Sequence, residues 1–264
     1  MPIPTIPRPV WRAAALILPL LCTLFSPASA RTLPEAKASR TLNAATSGDF
    51  RPFNFLDASG RPDGFEVELI GALAAQMDLK VNWQVRPFDG LLEDVNADRH
   101  GIDVVAASHA ITSTRLKTVD FSTPHYCTGG VILARRGGPQ TSKALSGRTM
   151  AAEEGSTYLG FLKKLPFSKS ISVLPSGKDV MRAVALSRVD AAVTDRFVAL
   201  EALTLYPKAN LIVSDMLWKE TVGLVVAKDN DAMRQALNGA LKAVIDDGTY
   251  ARLSQKYFGQ NVRC

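Results

Sequence analysis

The chain has 264 residues, 47% of them hydrophobic, with 31 Lys and Arg against 25 Asp and Glu, a formal net charge of +6 and three cysteines. That hydrophobic share supports a packed core. The mild positive charge is spread without runs or interleaved aromatics, which argues against nucleic acid as a partner. The first thirty residues read as a secretory leader. Arg8 and Arg12 precede an apolar stretch over residues 13–24, and Ala28-Ser29-Ala30 supplies a small-x-small cleavage pattern, giving a cut after Ala30. Leu21 stands before Cys22, where lipid attachment wants a small residue, so an exported soluble chain is expected over a tethered one. No other apolar stretch is long enough to span a bilayer. About 234 residues and a charge of about +4 remain after cleavage, enough for one large domain or two modest ones. Loss of Cys22 leaves Cys127 and Cys264, an even pair that suits an oxidising compartment.

In chain order, strand-like and helical segments alternate, the rhythm of an open α/β sheet. Residues 42–45 read as a first strand. Over residues 64–77, Phe65, Leu69, Leu73 and Met77 recur every four positions, one face of an amphipathic helix. A strand at 79–85, a short helix at 88–96 and a buried strand at 102–107 follow. Apolar segments at 131–134, 148–152, 171–174, 191–193 and 211–213 supply more strands with helices between them, and 139–146 is a polar loop. Residues 222–227 form a further strand, and helices at 231–246 and 250–257 close the chain, with Gly248 ending the first of them as a C-cap residue.

The segment from Asp103 to Tyr126, DVVAASHAITSTRLKTVDFSTPHY, sets Arg115 after an apolar strand and before a second short one. A guanidinium offers a planar fork that meets both oxygens of a carboxylate, and Ser108 and Thr112 lie near enough in sequence to add hydroxyls. An ordinary surface ion pair between Arg115 and Asp120 is the competing reading, and such pairs contribute little. On these residues alone both stand.

The same segment resembles the T-x-x-R-x-x-x-[VI]-x-F-[ST]-x-P-[YH]-Y signature of bacterial solute-binding proteins of the amino-acid type, family 3, the extracytoplasmic receptors of ABC importers. GDFRPFNFLDASGRPDGFEVELIGALAAQM (Gly48 to Met77) is similar to that family's opening strand, aromatic loop and first helix. LSGRTMAAEEGSTYLGFL, SRVDAAVTD, ETVGLVVAKDN and DDGTYARLSQKYFG fall in the family's order downstream, so nearly all of the mature chain is covered.

The resemblance implies a type II periplasmic-binding-protein fold: two α/β lobes joined by a two-strand hinge, with the ligand cleft between them. Residues 31–127 would open lobe 1, 128–221 would form lobe 2, and 222–264 would return to lobe 1. Arg115 would hold a ligand's α-carboxylate, with Ser108, Ser156 and Thr157 assisting, where Gly155-Ser156-Thr157 opens a helix whose free N–H groups suit an anion. Asp195 would take the α-ammonium, a plain N-cap before Arg196 being the alternative, and the two roles could coexist. Phe50 and Phe88 would sandwich the side chain. Phe88 could instead be a core residue, whereas Phe50, in a loop between Asp49 and Arg51, lacks a core reason. Phe53 and Phe55 alternate in step and read as core, and Tyr126 reads as hinge packing. Cys127 falls where the family's chain leaves the first lobe and Cys264 ends a tail returning to it, which implies a disulfide, two independent thiols being the alternative. Ala110 departs from the family, since a hydroxyl usually stands there.

The implied function is a monomeric periplasmic receptor that closes on a small amino acid or related carboxylate and delivers it to an inner-membrane ABC permease, without a cofactor. With only Asp49 acidic beside Phe50, neutral or aromatic side chains are expected over cationic ones. Presentation of the bound solute to a sensor kinase would use the same pocket. The cyclohexadienyl dehydratases share the fold, and SGDFRPFNF is similar to their opening loop. Their glutamate shortly after a T-D pair is missing, because Arg196, Phe197 and Val198 follow Thr194-Asp195; His109, Glu153 or Glu154 could substitute. His100, His109 and His125 lack metal-ligand spacing.

Overall fold

The computed structural model describes residues 1–2, 31–97 and 101–264. The body of the expected leader, with Cys22, and His100 lie outside the described residues.

Lobe 1 opens with α1 (Leu33–Ser39), whose N-cap Thr32 accepts from the Glu35 N–H while Glu35 reaches back to the Thr32 N–H, a reciprocal capping box. The chain continues through β1 (Thr41–Thr46), the short β2 (Asp49–Phe50), β3 (Asn54–Leu56) and β4 (Pro62–Asp63), then α2 (Phe65–Gln76), β5 (Lys80–Val85), α3 (Leu91–Asn96), β6 (Val104–Val105) and β7 (Val119–Phe121). The apolar stripe of α2, Phe65, Leu69, Ile70 and Leu73, is fully buried, which is where the four-residue spacing predicts it.

The chain crosses on β8 (Tyr126–Arg135) into lobe 2, which comprises β9 (Thr149–Glu153), α4 (Thr157–Lys164), β10 (Ser170–Leu174), α5 (Gly177–Ala185), β11 (Ala191–Asp195), α6 (Arg196–Leu205) and β12 (Leu211–Val213). It returns on β13 (Trp218–Val222) and finishes in lobe 1 with β14 (Val225–Ala227), α7 (Asp231–Asp246) and α8 (Thr249–Phe258).

The lobe 1 sheet runs β5-β1-β6-β14-β7, parallel through its first three strands and antiparallel where the returning β14 pairs with β6 and β7. The lobe 2 sheet runs β10-β9-β11-β8-β12. β8 serves both purposes. Its first half pairs antiparallel with β13, Tyr126 against Val222 through Gly130 against Trp218, and its second half pairs with β11 and β12. The two crossings are thus hydrogen-bonded to each other, a hinge of two strands. Gly130 is required at that crossing, since a Cβ there would stand 2.1 Å from the Trp218 ring.

Three expectations need revision. The return over residues 222–227 is two strands rather than one, because the chain bends at Gly223 and Leu224, where Ser122 and Leu224 exchange hydrogen bonds. The strand expected over 102–107 is reduced to Val104–Val105, although Asp103 and Ala106 still donate to Asn43 and Ala45 of β1. The small sheet β2-β3-β4 and helix α1 carry too few residues for a periodic pattern to announce them.

Cys127, on the hinge strand, is bonded to Cys264, with Cα atoms 4.9 Å apart, as expected for an exported chain. The Cys127 N–H also donates to the Val262 carbonyl, so the tail lies directly along the hinge. Tyr126 is fully buried and stacks on Phe53, ring centroids 4.5 Å apart. Phe258 and the lobe 2 residue Phe197 complete this aromatic cluster behind the cleft.

Candidate functional site

Arg115 begins a short 3-10 turn, and its N–H is held by the Thr112 hydroxyl at 3.2 Å. Its guanidinium points into the interlobe cleft. Nη1 donates to the Ala110 carbonyl at 2.9 Å, and Nη2 reaches across to the Gly155 carbonyl of lobe 2 at 3.1 Å. Burial lowers its pKa, opposed by Glu220, Tyr158 and Glu153, which all face it. Asp120 is not its partner, for that carboxylate pairs with Lys228 at 2.9 Å and accepts the Asp229 N–H at 2.7 Å.

Ser156 caps α4, its hydroxyl accepting from the Leu159 N–H at 3.1 Å and donating to the Glu153 carbonyl at 2.6 Å. Thr157 is the first helical residue, so the end of α4 that carries free N–H groups opens toward Arg115. Arg115, Ser156 and Thr157 line a cavity of about 870 Å³ together with Phe161, Trp218 and Glu220, a size suited to a small-molecule ligand. Trp218 stacks on Phe161 with centroids 4.6 Å apart and donates from its indole N–H to Glu220.

The other expected site residues stand back from that cavity. Asp195 is buried and caps α6, Oδ1 accepting from the Phe197 and Val198 N–H groups at 2.6 and 3.2 Å. Oδ2 accepts from Thr128 of the hinge at 2.6 Å, with the Tyr158 hydroxyl 3.5 Å away. The capping role is therefore occupied. Burial pushes its pKa up to about 7 against the hydrogen bonds donated to it. Ser108 has φ +58 and gives both its N–H and its hydroxyl to the buried Glu66, at 3.0 and 2.9 Å.

Phe50 is part of β2 rather than a loop, is 5% exposed, and lies beside Phe53. It does have a packing reason, which the sequence conceals, because its neighbour is lobe 2: a Cβ added at Gly177 would stand 2.6 Å from its ring. Phe88 is buried, stacks on His109 with centroids 4.4 Å apart, and lies 5.9 Å from the Arg115 guanidinium. Burial, with Arg115 nearby, holds His109 well below its ordinary pKa, which makes it a neutral ring in a stack. Phe55 is only half-buried, carrying the Arg51 guanidinium on its face, so it is not core.

Trp218, Phe161 and Glu220 have no sequence signal of a role, since they line the cavity only once β13 lies beside α4. Glu153 could have been found: a charged residue ending the apolar run Met150-Ala151-Ala152 is out of place unless it faces something polar.

Comparison with known proteins fits this geometry. The sequence profile of the bacterial extracellular solute-binding proteins, family 3, matches residues 42–260. The L-cystine-binding protein TcyJ of Escherichia coli (strain K12) is 28% identical over 233 residues, covering 87% of each chain. Among solved structures, an ancestral arginine-binding protein bound to arginine is 31% identical with a TM-score of 0.79, the match covering 83% of this chain and 98% of that one. An ancestral amino acid-binding protein described as a precursor of cyclohexadienyl dehydratase is 29% identical with a TM-score of 0.77, over 85% and 98% of the two chains. With a profile spanning most of its length, and with two lobes, paired hinge strands and an arginine in the cleft, the chain belongs to the bacterial extracellular solute-binding proteins, family 3.

Proposed function

We propose that this protein is a periplasmic receptor that closes its lobes over a small α-amino acid and delivers it to an inner-membrane ABC permease. The observation that carries the reading is the Arg115 fork, rooted in lobe 1 and reaching 3.1 Å to lobe 2 beside the opening of α4. A ligand carboxylate there would replace the two carbonyl contacts with a bidentate, charge-assisted pair and draw donors from both lobes, so binding and closure would favour each other. Thr157 and Ser156 would add their hydroxyls or N–H groups. Asp195 would serve the ammonium through Oδ2, exchanging its Thr128 contact while Oδ1 keeps the cap. Phe88 and Phe50 would flank the side chain, and Ser108 would position the segment through Glu66 rather than touch the ligand.

The protein works as a monomer after its leader is cut following Ala30. In support, the next residue, Arg31, makes a 2.6 Å ion pair with the buried Asp103 and so belongs to the folded body. The names of relatives range over cystine and arginine, so they leave the side-chain class open. A receptor is preferred over a dehydratase because Arg196, Phe197 and Val198 follow Thr194-Asp195, with no acid there, and Asp195 itself is spent on capping α6 through the Phe197 and Val198 N–H groups.

Titration calorimetry with a panel of α-amino acids tests the reading. Arg115→Ala is expected to cost on the order of 2–5 kcal/mol of affinity, because the ligand's carboxylate is left buried and unpaired. Wild-type affinity in that variant would remove the pocket assignment, and aromatic product from prephenate or arogenate would replace the receptor with an enzyme.

A further inference from the structure

The two hinge strands pass from lobe 1 to lobe 2 at one level. On the outgoing crossing, the Tyr250 hydroxyl of α8 donates to the His125 carbonyl, and Cys127 is tied to the lobe 1 tail twice, by its N–H to the Val262 carbonyl at 2.9 Å and by its sulfur to Cys264. The next residue belongs to the other lobe, since the Thr128 hydroxyl donates to Asp195 at 2.6 Å. On the returning crossing, Trp218 stacks on Phe161 of α4 and donates to Glu220, whereas the Thr221 carbonyl accepts the Ile111 N–H of lobe 1 at 2.8 Å. Thr128 is paired with Glu220 and Cys127 with Thr221. Both strands therefore change hands between the same two rungs of the ladder, and the disulfide sits on the last rung that lobe 1 holds. The tail that bears Cys264 is fixed in turn: the Ser254 hydroxyl of α8 accepts the Val262 N–H at 2.9 Å and donates to the Gln260 carbonyl at 2.7 Å, and Val262 is buried.

We propose that the Cys127–Cys264 bond is a redox-addressed control of lobe opening, which fixes the lobe 1 side of the pivot and whose cleavage loosens the hinge while both lobes stay folded. With the bond closed, a covalent tie runs from α8 through the tail to Cys127, and bending is confined to the residues beyond it, Thr128, Gly129 and Gly130, with their partners on β13. With the bond open, the Val262 hydrogen bond alone holds Cys127 to the tail, and the rung of Cys127 and Thr221 joins the bending region. Tyr126, fully buried and stacked on Phe53, is then the first residue held firmly by lobe 1. The sulfurs are placed for exchange, Cys264 being exposed and Cys127 half-buried. An external thiolate attacks the Cys264 sulfur, the S–S bond breaks, and Cys127 leaves as a thiolate and takes up a proton. The second thiol of the same reductant resolves the mixed disulfide, so the protein gains two electrons and two protons and the reductant leaves as its own disulfide. The partner is accordingly a dithiol. Cys127, Glu220 and Thr221 also line the cavity that holds Arg115, so the pivot forms part of the wall of the cleft and the state of the bond is felt there, whatever solute the cleft takes.

The test needs no ligand. Hydrogen exchange read by mass spectrometry compares three forms of the purified exported protein: oxidised, reduced with dithiothreitol, and Cys264→Ala, which removes the bond but keeps the Cys127 side chain on the cavity wall. At exposure times short enough for α2 and β9 to stay protected in all three, the amides of residues 126–129 and 219–222 are expected to exchange at least about tenfold faster in the second and third forms. Small-angle scattering should give both of these forms a larger radius of gyration than the oxidised protein. Unchanged exchange at the hinge, or an unchanged radius of gyration, overturns the proposal. Hinge exchange that rises only together with that of α2 and β9 overturns it too, because the bond then stabilises the fold as a whole. If Cys264→Ala does not fold, the reduced wild-type protein decides by the same readings, and its unfolding would assign the bond to holding the fold together and remove the hinge role.

Discussion

Two buried glutamates, one in each lobe, have opposite surroundings. Glu66, in the first turn of α2, is fully buried and accepts four hydrogen bonds: from Asn54, from the N–H and hydroxyl of Ser108, and from His125 at 3.0 Å. Glu153 is nearly as buried and has a carboxyl oxygen with no hydrogen-bond partner among the described residues, its pKa driven well above the ordinary value by burial and then by Asp49. A satisfied carboxylate inside a lobe ties elements together, here α2 to the strand-end loop carrying Ser108 and to the entry of the hinge at His125. An unsatisfied one at the seam costs folding energy.

Breaking the satisfied site should give the largest effect. Glu66→Leu would strand Asn54, Ser108 and His125 without their acceptor and is expected to destabilise the fold by about 3–5 kcal/mol, read from denaturant unfolding. If the loss is under about 1 kcal/mol, the network does not hold lobe 1 together. Reduction of the Cys127–Cys264 bond comes next. It releases the tail from the hinge and should cost roughly 2–4 kcal/mol, measured as a fall in melting temperature in reductant. Thiol titration of unfolded, unreduced protein should find no reactive sulfur in the mature chain. The smallest effect sharpens the contrast: Glu153→Gln, which replaces an unpartnered carboxyl by an amide of the same shape, should change unfolding free energy by less than about 1 kcal/mol. A loss as large as that of Glu66→Leu would mean that Glu153 is structural, and the contrast between the two acids would disappear.

Much of the architecture was legible because it rests on local periodicity. The four-residue stripe of α2, the helix over Asp231–Asp246 and Gly248 at φ +77 after it all follow from patterns that need no tertiary context. Arg115 was legible for a different reason: its neighbours in sequence, Thr112 and Ala110, are also its neighbours in space. Phe50 was misjudged because the packing that buries it comes from Gly177, more than a hundred residues away, on the other lobe. Phe55 failed oppositely: it sits on the three-residue strand β3 with the Arg51 guanidinium over its ring and stays half-buried, whereas Phe53, just outside that strand, is fully buried.

The order of residues alone determined the α/β rhythm, the pair Cys127 and Cys264 and the arginine fork, since each is a short-range pattern of charge, size or hydrophobic spacing. Only the folded molecule decided which acids are spent on capping or networks, and how Trp218 and Phe161 come to wall the cavity. These outcomes depend on two lobes being brought together by paired hinge strands, and the distances that set hydrogen bonding and burial across such a seam have no counterpart in sequence separation.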